Sequence, residues 1–212
     1  MPYLLIWIGC IGLFTSSIGL NIKDIQQFDF SSVAWMSSHR SNIMDCLTIA
    51  LSYLGGLPPT IVIVTLSSLY FFRLKQYTNV FMLTIGLFGV TAIGWIIKCL
   101  VNRPRPDEVY QMVQTYGASF PSAHSIYAAF LSCSFIFIFH KYKRAKLISL
   151  VCFFWFLSMG ISRVYLGAHF PTDVVAGWSI GFIWTALLWF MLSSKTLSRN
   201  KLFSNKNLNE VE

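Results

Sequence analysis

Charge is what this sequence has least of. Only 11% of its 212 residues are Asp, Glu, Lys or Arg, against about 25% in an ordinary soluble domain. Carboxylates are the scarcer sign, eight in all. They form no cluster suited to a divalent cation, so the expectation is a protein that works without a metal or other cofactor. There is also no CxxC pair. Cys10, Cys46, Cys99, Cys133 and Cys152 stand singly in or beside apolar runs. That argues against a disulfide framework or a zinc site and reads them as small apolar side chains. No repeat or low-complexity linker divides the chain, so a single bundle without a separate soluble domain is expected.

What fills the space is apolar. The chain is 55% hydrophobic and 17% aromatic, with a mean hydropathy of +0.61. This is the composition of an integral membrane protein. A helix crossing the hydrocarbon needs ~20 mostly apolar residues, and six segments qualify: Tyr3–Leu20, Cys46–Phe72, Asn79–Val101, Ser122–Phe139, Leu147–Val164 and Thr172–Leu192. The second contains Gly55, Gly56, Pro58 and Pro59, so a tilted or interfacial piece is expected before Pro58 and the main span after it. The stretch FDFSSVAWMSSHRSNIMD mixes aromatic and polar residues and reads as a short amphipathic helix at the membrane interface. The predicted fold is therefore all-α, a bundle of six transmembrane helices with one interfacial helix between spans one and two. Residues 1–194 form the membrane domain and 195–212 a polar cytoplasmic tail. The first apolar run has no Lys or Arg before it, which fits a retained span better than a cleaved signal peptide.

The net charge of +8 would raise nucleic acid as a partner for a soluble protein. Here membrane topology accounts for it. Arg73, Lys75, Lys141, Lys143, Arg144, Lys146, Lys195, Arg199, Lys201 and Lys206 fall on one side of the six-span arrangement. Lys23, Arg40, Lys98, Arg103, Arg105 and Arg163 fall on the other. Basic loops stay in the cytoplasm. The chain is thus expected to be a multi-pass protein of the inner (plasma) membrane with both termini inside, and with the loops after spans one, three and five outside.

The outer ends of spans three to six then collect Lys98, Arg103, Arg105, His124, Arg163, His169 and Asp173. Each ionisable group at membrane depth costs ~2.5–3.5 kcal/mol on insertion scales, so several at one depth point to a shared polar site. In KCLVNRPRP, Lys98 snorkels from a helix end and Arg105 sits in a proline-fixed turn. Such a pair suits phosphate, and it also suits an anchor for anionic lipid heads. In SFPSAHS, Ser122 stands near a helix cap, where free N–H groups bind anions, and His124 falls in the first turn. In SRVYLGAHFPTD, Pro171 opens a helix, His169 precedes it and Asp173 lies in its first turn. Asp173 is either the partner that fixes the His169 tautomer or only a helix-end carboxylate favoured by the dipole. Taken together, three cations, two histidines, a carboxylate and a helix N-terminus make a phosphoryl-transfer site.

These three segments, in this order, resemble the type 2 phosphatidic acid phosphatase superfamily, the lipid phosphate phosphatases. The family pattern of a lysine, six residues and Arg-Pro is matched by Lys98, Arg105 and Pro106. Pro-Ser-Gly-His is matched by Pro121, Ser122, Ala123 and His124, with alanine in place of glycine. Ser-Arg, five residues, His, three residues and Asp is matched by Ser162, Arg163, His169 and Asp173. If the backbone at 123 needs φ > 0, alanine is strained; a helical φ removes the problem. The resemblance covers spans three to six. It implies that His169 is the nucleophile of a phosphohistidine intermediate, oriented by Asp173. It makes His124 the acid for the leaving group and then the base for water. It gives phosphate binding to Lys98, Arg105, Arg163, Ser122 and the Ala123 amide. Arg103 lies outside the matched positions and receives no role. The resemblance also implies metal independence and a site at the outer face.

The expected substrate is an amphiphilic phosphate ester bound from the membrane, first undecaprenyl diphosphate and next phosphatidylglycerophosphate or phosphatidate. Two other functions remain open on the residues: phosphotransfer to a lipid or sugar hydroxyl, and non-catalytic binding or transport of a lipid phosphate. The expected partners are the lipid substrate and membrane lipids, with no nucleic acid.

Overall fold

The computed structural model describes residues 2–209, with side chains to residue 193. Among the described residues there are eight α-helices, one short 3₁₀ turn and no strand. The helices are α1 Pro2–Gly19, α2 Lys23–Ser38, α3 Asn42–Leu54, α4 Leu57–Arg73, α5 Tyr77–Val101, α6 Ala123–Phe139, α7 Ala145–Tyr165 and α8 Pro171–Asn209. The 3₁₀ turn is Glu108–Tyr110. The side chains of the tail expected over 195–212 lie outside the described residues.

Helix ends follow local chemistry. Ser41 caps α3 by accepting from the Met44 N–H. Pro58 and Pro59 sit in the first turn of α4, where a missing N–H costs nothing. Asn102 ends α5 in the left-handed region at φ 43° and returns its N–H to the Lys98 carbonyl, a conformation asparagine tolerates.

Among the described residues, four helices are long and apolar enough to cross a membrane: α1, α5, α7 and the first part of α8, Pro171–Ser193. The expected second span is two helices, α3 and α4, bent by 56°. The bend falls at Gly55–Gly56, just before Pro58, with Gly56 as the extended N-cap of α4. The expected fourth span is α6, which at 17 residues is shorter than the ~20 of a straight crossing. It is enclosed for most of its length by α5, α7 and α8. Outside α6, large apolar side chains such as Trp7, Phe14, Phe88, Trp95 and Leu100 face outward. A surface this apolar matches lipid rather than water. The chain is a multi-pass membrane protein.

The core follows α6. Ile126, Tyr127, Phe130, Leu131, Phe137 and Ile138 pack against Met82, Leu83, Leu87 and Val90 of α5 and Ile180 of α8. Contact between α6 and α8 is close because α8 presents Gly177 and Gly181 there. A Cβ on Gly177 would stand 2.6 Å from the Ser122 carbonyl, and one on Gly181 would stand 2.7 Å from the Ala129 Cβ. Small residues four apart let helix backbones approach in this way. The approach sets the start of α6 beside the start of α8, where the chemistry-bearing residues collect. Of the cysteines, Cys133 and Cys152 are buried, whereas Cys10, Cys46 and Cys99 lie on the exterior; all five are free.

Candidate active site

Three turns build the site. The first follows α5. Pro104 and Pro106 hold the chain extended, and the Ser119 N–H closes the returning loop on the Arg103 carbonyl at 2.8 Å. Lys98, in the last turn of α5, donates from Nζ to the Ala118 carbonyl at 2.6 Å and the Ser119 carbonyl at 3.3 Å. Arg105 donates from Nε to the Gly117 carbonyl at 2.8 Å, from Nη2 to the Tyr116 carbonyl at 2.8 Å and from Nη1 to the Ala168 carbonyl at 2.7 Å. Burial lowers the Arg105 pKa, opposed by Asp173, yet a guanidinium stays charged in a protein. Backbone carbonyls thus fix both cations in place without neutralising them.

The second turn starts α6. Ser122 is its cap, and its Oγ accepts from the Ser125 N–H at 3.4 Å and the Ser125 hydroxyl at 3.0 Å. Its own N–H donates to the Asp173 carbonyl at 3.0 Å. The Ser122 hydroxyl is therefore engaged within α6, and its N–H joins α6 to α8. Ala123 is the first helical residue, and positive φ outside glycine is confined, among the described residues, to Lys75 and Asn102. Alanine in place of glycine is unstrained here. The Ala123 and His124 N–H groups, in the first turn, have no intrahelical acceptor. His124 Nε2 is 3.2 Å from the Ser52 carbonyl of α3; a carbonyl only accepts, so Nε2 carries a proton.

The third turn joins α7 to α8. Gly167 adopts φ +65° against the Tyr110 backbone, a conformation that suits only glycine there. The Ala168 and His169 N–H groups both fold back on the Arg163 carbonyl, at 3.0 and 3.2 Å. His169 is 2% exposed. Its Nε2 lies 3.3 Å from Arg105 Nη1. Arginine only donates, so Nε2 holds a lone pair and the proton sits on Nδ1. Nδ1 faces Asp173 Oδ2 and the Ser119 hydroxyl, each at 3.5 Å. Burial pushes the His169 pKa down to about 3, overcoming the opposing pull of Asp173. The ring is neutral at neutral pH, with a free nitrogen directed toward the cations.

Asp173 is fully buried and fully partnered. Its Oδ2 accepts from the Ser119 hydroxyl at 2.5 Å and the Phe170 N–H at 2.9 Å, and its Oδ1 accepts from Arg103 Nη1 at 2.6 Å. Helix-end stabilisation and histidine orientation were alternatives in the sequence; Asp173 accepts from the Phe170 N–H at the start of α8 and also faces His169 Nδ1.

Lys98, Arg105, Ala123, His124, Arg163 and His169 line a single cavity of about 190 Å³, closed on one side by Gln114, Thr115 and Tyr116. That is below the ~300–1,000 Å³ of pockets that engulf a whole drug-sized ligand, and is suited to a headgroup. Arg163 is 3% exposed. Its Nη1 donates to the Ser52 hydroxyl, while its buried Nε has no partner. Among the described residues, Lys98, Arg105 and Arg163 make no ion pair with a carboxylate. Buried charges are ordinarily paired; here the buried Arg163 and the half-buried Lys98 and Arg105 line one cavity without a carboxylate partner, an arrangement suited to an anion.

Sequence reading gave no role to Ser52, Ser119 or the loop residues Gln114–Tyr116, and set Arg103 aside. Only Arg103 carried a signal, as a charge in a run of charges. Ser52 belongs to a helix remote in sequence from every motif.

Residues 77–196, more than half of the chain, match the family model described as the PAP2 superfamily. Phosphatidylglycerophosphatase B of Bacillus subtilis (strain 168) is 33% identical over 142 residues, 63% of this chain and 68% of that protein. Dolichyldiphosphatase 1 of Homo sapiens is 32% identical, over 70% of this chain and 66% of that protein. The crystal structure of a transmembrane PAP2-type phosphatidylglycerolphosphate phosphatase from Bacillus subtilis superposes with a TM-score of 0.73 at 26% identity, covering 93% of this chain and 96% of that one. The fold also matches LpxE of Aquifex aeolicus, with a TM-score of 0.65 at 20% identity. The chain belongs to the PAP2 superfamily and is a phosphatase of that family.

Proposed function

We propose that this PAP2-superfamily member removes the terminal phosphate of a membrane lipid, with undecaprenyl diphosphate as the substrate, giving the monophosphate and inorganic phosphate. The observation that carries the reading is one cavity lined by His169 and by three cations without carboxylate partners, the buried Arg163 and the half-buried Lys98 and Arg105, with Arg105 3.3 Å from the His169 nitrogen that holds the lone pair. The similarity to a dolichyldiphosphatase over 70% of the chain favours a polyprenyl diphosphate. A second reading, phosphatidylglycerophosphate, draws on the Bacillus subtilis relative and its structure.

In the first step the His169 Nε2 lone pair forms a bond to phosphorus, and the bond from phosphorus to the leaving oxygen breaks. Lys98, Arg105, Arg163 and the N–H groups at the start of α6 hold the equatorial oxygens. Asp173 takes the positive charge that develops on the ring through Nδ1–H. The 3.5 Å separation is long for a hydrogen bond, and such contacts tighten as charge develops. His124 delivers a proton to the leaving oxygen. An anionic headgroup favours its imidazolium, which keeps one N–H on the Ser52 carbonyl and has a second to give. In the next step water attacks the phosphohistidine, His124 takes the water proton, the phosphorus–nitrogen bond breaks and phosphate leaves. No step requires a metal.

The basic residues are divided ten against six between the two sides. This supports an orientation with both termini in the cytoplasm and the site at the outer face of the inner membrane. In that orientation α3 and α4 make one broken span and α6 another, for six in all, and α2 lies at the interface.

The test is phosphate release by purified protein in detergent, in excess EDTA, from undecaprenyl diphosphate and phosphatidylglycerophosphate in parallel. Preference for the diphosphate supports the first reading, and preference for the glycerophospholipid supports the second. If neither lipid releases phosphate, the substrate or the catalytic reading is wrong. A phosphorylated lipid or sugar acceptor in place of free phosphate would make the protein a phosphotransferase.

A further inference from the structure

Behind Asp173 lies a chain of charges that no sequence motif contains. Asp29, on α2, is 1% exposed. Its Oδ2 lies 2.7 Å from Arg103 Nη2. Its Oδ1 accepts from the Thr172 N–H at 3.1 Å, and its Oδ2 from the Thr172 hydroxyl at 2.5 Å. Asp29 therefore caps the first turn of α8 from a different helix. The other nitrogen of the same guanidinium, Nη1, binds Asp173 Oδ1 at 2.6 Å and the Thr172 hydroxyl at 2.7 Å. The Arg103 Cζ sits 4.3 Å over the Phe170 ring. That ring packs edge-on against Phe30 of α2, with centroids 5.0 Å apart.

We infer that Asp29 and Arg103 are positioning residues for the nucleophile: Asp29 orients the Arg103 fork, the fork fixes one oxygen of Asp173, and the other oxygen is thereby held toward Nδ1 of His169. The inference rests on the reading of His169 as the nucleophile. Three features carry it. A planar fork with both ends occupied fixes direction as well as charge, and here the two ends meet different carboxylates. The net charge of Asp29, Arg103 and Asp173 together is −1, so Asp173 keeps its negative charge for the ring although an arginine touches it. Asp29 is the buried acidic residue of α2, and the other buried residue of that helix is Val33, one turn on, which packs with Val164, Phe170 and Val174 at the α7–α8 junction. The docked face of α2 thus places this carboxylate behind the site. The unpaired cations of the cavity and the paired cation behind it have different tasks: the first three meet the substrate, and Arg103 does not.

The experiment uses the full chain in detergent micelles and reads kcat and KM for phosphate release from undecaprenyl diphosphate and phosphatidylglycerophosphate. Asp29→Asn and Arg103→Lys should each lower kcat about 10–100-fold, as loss of a group that orients a functional histidine does, with KM within about twofold. In an Asp173→Asn background, Asp29→Asn should cause almost no further loss, because its effect runs through Asp173. An unchanged kcat in both single variants, or a loss that multiplies undiminished in the Asp173→Asn background, overturns the inference while leaving the site intact. If Asp29→Asn does not fold, Arg103→Lys carries the test, since it keeps the charge and loses the fork. If both fail to fold while Asp173→Asn folds, the role is structural and the inference is wrong. Wild-type turnover in His169→Ala would remove the nucleophile reading itself, and this inference with it.

Discussion

At the residue scale the account depends on His169 being neutral, buried and aimed. His169→Ala should lose at least ~10³-fold in kcat, as removal of a nucleophile does, with the melting profile showing that the bundle still folds. His124→Gln should lose about 10²–10⁴-fold, the range for one general acid–base group. The low pKa of His169 also makes a stability prediction. The folded ring resists protonation down to about 3, whereas the unfolded ring takes a proton near 6.5. Between those limits the unfolded chain binds the extra proton, so stability is fully present above the unfolded value and falls as pH drops. The slope is at most about 1.4 kcal/mol per pH unit for one proton. Thermal unfolding in detergent from pH 7 to pH 4 should show a decline that His169→Gln reduces. The five ionisable cavity residues taken from the motifs were legible because ionisable groups are so rare in an apolar chain. Ser122 was legible as a cap, but its hydroxyl is engaged within α6 and does not line the cavity. Asp29 was not legible. It stands between Phe28 and Phe30 in a mixed segment, and a pattern of mixed polarity does not reveal which face of a helix is buried.

At the element scale the site depends on how closely α6 and α8 approach, because one carries His124 and the other Asp173. Gly177→Val should separate the two helix starts. The added side chain meets the Ser122 carbonyl and Ser125, which are held by the helix start and have little room to shift. Overpacking of this kind costs about 1–3 kcal/mol, and a displacement near 1 Å at a reacting geometry costs on the order of 10²-fold in rate. Comparing Tm with kcat for Gly177→Val and for Gly181→Val, one turn farther from the site, should show similar destabilisation but a larger rate loss at 177. The membrane-length segments were legible from their apolar runs, and most boundaries differ from the helices by only a few residues. The break between α3 and α4 was expected before Pro58, and the chain bends there, at Gly55–Gly56. Both glycines have ordinary φ, −94° and −70°; what excludes a side chain at Gly55 is Met159, which an added Cβ would meet.

For the whole molecule, orientation is the claim that joins composition to chemistry. Ten basic residues on one side and a cationic site on the other support the proposed orientation, with a lipid headgroup at the outer face and its tail in the bilayer. Tyr116 is 80% exposed beside the cavity, and Lys143 lies in the α6–α7 loop. In a variant lacking the native cysteines, a membrane-impermeant maleimide should label Tyr116→Cys in intact cells and Lys143→Cys only after permeabilisation. The reverse pattern would put the site in the cytoplasm.

The measurement that tests the central claim most directly is capture of the reaction intermediate. Purified protein is mixed with undecaprenyl diphosphate in excess EDTA, quenched in alkali, where phosphohistidine survives, and digested for mass spectrometry. The account predicts one added phosphoryl group on the peptide containing His169, turning over as phosphate is released and absent in His169→Ala. Phosphorylation of another residue, or undiminished phosphate release by His169→Ala, would contradict it.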